Sequence, residues 1–97
     1  MDEILRMLRL AVDHQDRRYG PFTPDVSGVR LALACLEDEV DEAKDAWRSE
    51  RKPRRGTKAW ATTTAEVMDV AAVSVRLLRD MGVGELLEPS MSEMSAE

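Results

Sequence analysis

Residues 35–47 read CLEDEVDEAKDAW, with six carboxylates in the nine positions from Glu37 to Asp45. Leu36, Val40, Ala43 and Trp47 run through these acids at steps of four, three and four residues, the period of one helix face. Leu33 and Val29 continue the stripe backwards. The spacing predicts a long helix, opened by Thr23 and Pro24 and ending near Arg51, with a seam suited to a nearly antiparallel helical neighbour. Like charges three or four residues apart on a helix repel by roughly a few tenths of a kcal/mol per pair. The acids are therefore either a wet outer face or a set that cations hold together.

On the N-terminal side, Ile4, Leu5, Leu8, Ala11 and Val12 recur at helical spacing and predict a helix from about Asp2 to Arg18, which YGPFTP (19–24) ends. On the C-terminal side, KPRRGTKAW (52–60) reads as a polar loop. Thr62, Thr63 and Thr64 then offer caps for a third helix, with Val67, Val70, Ala71, Leu77, Leu78 and Met81 on its apolar side and Gly82 as its stop. The expected fold is all-α: an antiparallel helical hairpin plus an N-terminal helix, a single domain over residues 1–83, followed by a flexible tail over 84–97. Three amphipathic helices leave an apolar flank uncovered. Oligomerisation to a homodimer or homotetramer is expected to complete a four-helix-type bundle, with Val73, Leu77, Leu78 and Met81 as candidate contacts.

Bulk properties narrow the function classes. The 97 residues are 43% apolar and 34% charged with a net charge of −5, a balance that disfavours stable nucleic-acid binding despite the basic cluster RSERKPRRGTK (48–58). No apolar run approaches the length of a membrane span, and a soluble, cytoplasmic protein is expected. Cys35 and His14 are each the sole residue of their type, which removes cysteine-rich and histidine-based zinc motifs. Any metal would have to be bound through oxygen.

Such a donor set is on offer. Glu39 and Glu42 stand three apart on the second helix, and Glu66 and Asp69 repeat that spacing on the third. If the two faces meet, four carboxylates converge, an arrangement that is strongly repulsive without cations and that suits magnesium, with manganese as an alternative. A plainer reading stays open at this level: the acids form a solvated surface, and Glu66 closes a capping box with Thr63.

LEDEVDEAKDAW (36–47) followed by AEVMDVAAVSVRLLRDM (65–81) resembles the MazG-like, all-α nucleoside triphosphate pyrophosphohydrolase family, marked by Glu-x-x-Glu on one helix and Glu-x-x-Asp on the next. HQDRRYG (14–20) is also similar to a segment that precedes this motif in small phage and bacterial members. The resemblance spans residues 11–81. It implies Mg2+-dependent hydrolysis of nucleoside triphosphates to monophosphate and pyrophosphate, with Glu39, Glu42, Glu66 and Asp69 as the metal-binding and catalytic set. Where that family often doubles the glutamate, this chain has Asp38 and Ala65, and its C-terminal segment lacks the Lys or Arg and Asn with which many relatives grip phosphate. Phosphate contacts would then fall to residues such as Lys44, Lys52, Arg54, Arg55 or Lys58, and Trp60 is the candidate for stacking on a base. Trp47 continues the apolar stripe and is read as core. The competing expectation is a non-enzymatic, dimeric helical interaction module with a wet acidic face.

Overall fold

The computed structural model describes residues 1–82, and these are all-helical: α1 (Asp2–Tyr19), α2 (Val26–Arg48) and α3 (Lys58–Asp80). The expected tail over 84–97 lies outside the described residues. Asp2 and Glu3 in the first turn of α1 and Arg17 and Arg18 in its last complement the helix dipole. Gly20 ends it at φ 74°, a left-handed conformation that favours glycine, and donates its N–H to the Asp16 carbonyl. Among the described residues, no helix is long and apolar enough to cross a membrane.

Both long helices begin at caps other than those the sequence suggests. The N-cap of α2 is Asp25, whose carboxylate accepts from the Gly28 N–H at 2.7 Å and from the Thr23 hydroxyl at 2.9 Å. Thr23 is thus a buttress of the cap. The N-cap of α3 is Thr57, ahead of the threonine run, and its hydroxyl accepts from the Trp60 N–H at 3.3 Å. Thr63 and Thr64 lie inside α3, where their hydroxyls donate to the carbonyls of Ala59 and Trp60. That placement removes the capping-box reading of Glu66 and puts Trp60 on a helix.

α3 is the central element, packing antiparallel to α2 and parallel to α1, while α1 and α2 make no close backbone approach to each other. Small residues make the contacts. Ala32, Ala59 and Ala72 are buried at the helix junctions, and Phe22, Ala32 and Val73 form a core flanked by Cys35, Leu36 and Leu77. The expected stripes meet this seam in part: Val29, Leu36, Val40 and Ala43 of α2 and Val70, Ala71 and Leu77 of α3 are half-buried, whereas Leu33 and Trp47 of α2, Val67 and Leu78 of α3 and Met81 at its C-cap are exposed. Of the expected interface residues, Val73 is core, Leu77 half-buried, and only Leu78 and Met81 are free to meet another chain.

Gly28 sits at the tightest point of this arrangement, because a Cβ there would overlap the main-chain carbonyl oxygen of Thr23. Gly28→Ala must therefore displace the Asp25 cap or the start of α2. We expect a loss of about 1–3 kcal/mol in chemical denaturation, the range of an overpacked site. A neutral or stabilising effect, as for an ordinary exposed Gly→Ala in a helix, would contradict the packing described.

Candidate functional site

On α2, Glu39 and Glu42 lie one turn apart, with Glu39 half-buried against α3 and Glu42 exposed. Glu66 lies in the interior of α3, half-buried and facing them. Carboxylate oxygens of Glu39, Glu42 and Glu66, one from each, all lie within 4.8 Å of one another. The structure thus brings together three of the four acids expected at the site. Asp69 stands beside them, one turn further along α3, and its charge is felt at both Glu39 and Glu66.

Two oxygens in this group, Glu39 Oε2 and Glu66 Oε2, are buried without a hydrogen-bond partner. A carboxylate removed from water normally finds a donor, and an unpaired one disfavours its own ionisation. The effect is largest at Glu39, where burial, followed by the charges of Glu42, Asp69 and Glu66, pushes the carboxyl up to about 7. Glu66 is raised as well, first by burial and then by Glu42. Burial and then Glu42 also raise Asp69, against the opposing charge of His14. Oxygen-only ligands with unsatisfied lone pairs form the donor set that a hard divalent ion takes. These residues therefore fit magnesium or manganese on chemical grounds.

A cavity of about 340 Å³ opens directly beside the acids. Glu39, Glu42 and Asp38 form one end of its wall, and Phe22, Leu31, Cys35 and Val73 supply apolar surface. Its far side is built by the end of α1 and the turn that follows, with Gln15, Tyr19 and Gly20, and by Arg76 of α3. Because α1 and α2 stand apart, this cleft remains open above α3.

The remaining candidates lie elsewhere. Lys44 borders a second groove between α2 and α3, lined also by Val40, Trp47 and Val67, and does not line the cavity beside the acids. Lys58 is exposed at the first residue of α3, near the hairpin end. Trp60 packs against Trp47 there, with ring centroids 5.8 Å apart and planes tilted by 56°. Neither indole is core, and Trp60 is about 9 Å along the helix from Glu66 at 1.5 Å per residue.

Sequence reasoning passed over Arg76, which is only 1% exposed. Its Nε donates to Asp16 at 2.9 Å, one terminal nitrogen to the Gln15 side-chain oxygen at 3.3 Å and the other to the Gly20 carbonyl, while the guanidinium lies 4.6 Å from the centre of the Phe22 ring. Arg79 grips Asp16 with two further bonds of 2.8 and 2.9 Å, and the two arginines, Arg79 first, hold the Asp16 carboxyl down to about 2. Set against protein-family models, curated proteins and solved structures, the chain matches none of them.

The carboxyl pKa values set a pH dependence whose sign is the reverse of that of an ordinary salt-bridged protein. Glu39, raised from 4.5 to about 7, binds its proton more tightly in the folded chain, so stability falls as pH rises between those values. Asp16 has the opposite sign, but its contribution is lost only as pH falls below 3.8 towards about 2, outside this window. The metal-free protein should therefore melt at a higher temperature near pH 5 than near pH 7.5, and Glu39→Gln should flatten the difference. Thermal melts in chelator across that range check this, and a melting temperature rising with pH would refute the arrangement.

Proposed function

We propose that this protein is a metal-dependent hydrolase that converts nucleoside triphosphates to nucleoside monophosphate and pyrophosphate. The observation that carries the reading is the convergence of Glu39, Glu42 and Glu66 with two orphaned, buried oxygens at the edge of an open cavity. The family resemblance of Glu39-x-x-Glu42 and Glu66-x-x-Asp69 supplies the reaction. In this reading Glu39, Glu42, Glu66 and Asp69 hold magnesium, or manganese in its place. A divalent ion bound there supplies neutralisation of phosphate charge and activation of the attacking water.

The chain's own residues account for the rest. The apolar wall of Phe22, Leu31 and Cys35 takes the nucleoside, leaving the phosphates directed at the acidic end of the cavity. A carboxylate of the cluster accepts the proton of the water that attacks the α phosphorus, the bridging bond from that phosphorus to the β-phosphate oxygen breaks, and pyrophosphate leaves. With Lys44 and Lys58 away from the cavity, side chains of this one chain offer the phosphates little positive charge beyond Arg76, itself already engaged. The exposed Leu33, Trp47, Val67, Leu78 and Met81 leave apolar surface on the hairpin that favours a second copy, so the active form is proposed to be a homodimer or a homotetramer. The same surface supports the second reading, a dimeric interaction module without catalysis.

Product analysis separates the readings. Incubated with magnesium and a nucleoside triphosphate, the protein should release monophosphate and pyrophosphate with no diphosphate, and chelator should stop it. Glu42→Gln should abolish turnover while leaving metal-free melting unchanged or raised, because it relieves repulsion. Diphosphate with free phosphate would contradict the mechanism. A light-scattering mass of one chain together with no product from any common triphosphate would remove both the enzyme and the dimer.

A further inference from the structure

The segment HQDRRYG (14–20) has no part in the reaction as described, yet three of its consecutive residues address α3, two of them at Asp69. The charge of His14 acts on the Asp69 carboxyl. Gln15, 4% exposed, donates its side-chain Nε2 to the main-chain carbonyl of Asp69 at 3.2 Å. Asp16 binds Arg76 and Arg79. Gln15 is the only one of the three that joins the metal-site backbone to a buried partner on the same helix, because its oxygen accepts from Arg76 at 3.3 Å.

The orientation of this amide is dictated chemically. An arginine offers donors only, so the Gln15 oxygen must face Arg76 and the NH2 group must face the Asp69 carbonyl. Arg76 in turn cannot swing away. It is held by Asp16, by the Gly20 carbonyl and over the Phe22 ring. A helix carbonyl has two lone pairs, and at Asp69 the second is tied to α1 through the buried side chain of Gln15.

We propose that Gln15 is a positioning residue for Asp69: held by Arg76, it fixes the backbone from which this carboxylate reaches the metal beside Glu39, Glu42 and Glu66. The inference rests on the metal-dependent reading above. It assigns the Gln-Asp segment a task that a mere packing contact would not have, since outer-shell partners that aim a ligand typically change metal affinity about 10–100-fold when lost.

The test uses Mn2+ alone as the probe, bound to the full chain and followed by calorimetry or electron paramagnetic resonance, with metal-free melting measured in parallel. Gln15→Met removes both bonds, while Gln15→Glu keeps a partner for Arg76 but turns an acceptor toward the Asp69 carbonyl. Asp80→Ala serves as the comparison, because it breaks the same junction at the Phe22 N–H and at Arg79 while leaving both bonds of Gln15 in place. Both Gln15 variants should weaken Mn2+ binding about tenfold, whereas Asp80→Ala should lower the melting temperature and leave Mn2+ affinity within about twofold, well below that outer-shell effect. If Gln15→Met does not fold, Gln15→Glu decides alone. Unchanged affinity in the folded Gln15 variants, or an equal loss in Asp80→Ala, overturns the proposal while leaving the metal reading intact. A parent protein that binds no Mn2+ overturns both.

Discussion

Arg76 is a charge buried between three elements, and the placement of α1 and of the 20–25 turn depends on how it is satisfied. A lone guanidinium removed from water would be strongly destabilising, but this one is met by the Asp16 carboxylate, the Gln15 amide and the Gly20 carbonyl, with Phe22 beneath it. Each of those partners comes from the end of α1 or the turn that follows. Removing Arg76 would strip three of the bonds along this edge, leaving Arg79 on Asp16, Gln15 on the Asp69 carbonyl and the Phe22 N–H on Asp80, and would loosen one wall of the cavity beside the acids. The core leaves little to replace it, since buried Ala32, Ala59 and Ala72 bring the helices close without burying much apolar area.

Against this paired charge stands an unpaired group. Glu39, Glu42 and Glu66 meet without any arginine or lysine among them, although Arg76 lies on the wall of the same cavity with its donors directed away, to α1 and the turn. The chain thus pairs one buried charge within itself, while the half-buried Glu39 and Glu66 and the exposed Glu42 meet with no basic side chain bonded to them among the described residues. Burial, and then the charges of Glu42, Asp69 and Glu66, push the Glu39 carboxyl up to about 7, so without a cation the cluster relieves itself by holding protons. A divalent ion would relieve it by charge, and the cavity next to it gives a phosphate-bearing ligand room to approach.

How much of this can be read from residue order alone follows from the range of the interactions. The number and sense of the helices were legible, because periodicity along 29–47 and 67–81 is a local signal, and so was the pairing of Glu39 and Glu42 with Glu66, which follows once the hairpin is antiparallel. The start of α3 was not: Thr62, Thr63 and Thr64 look like caps or loop, and only the bonds of Thr63 and Thr64 back to Ala59 and Trp60 show them inside a helix already begun at Thr57. The seam was also displaced in part. Leu33 and Trp47 fit the period yet are exposed, with the alanines one position away more buried, while Leu36 and Val40 of the same stripe stay half-buried at the contact. Arg76 lay hidden among Val75, Leu77 and Leu78, and its partners some sixty residues earlier are joined to it only by the tertiary fold.

The central claim is that the acidic cluster is a specific divalent-cation site rather than a wet face. Thermal melting of the metal-free protein, titrated with Mg2+ or Mn2+ and compared with NaCl at matched ionic strength, tests it most directly. A ligand that binds only the folded chain raises stability with the logarithm of its concentration once the site is occupied. The account predicts such a rise for the divalent ions, well beyond that given by sodium and lost in Glu39→Gln. Equal shifts from sodium and magnesium at the same ionic strength would mean that the carboxylates are merely screened, and would contradict it.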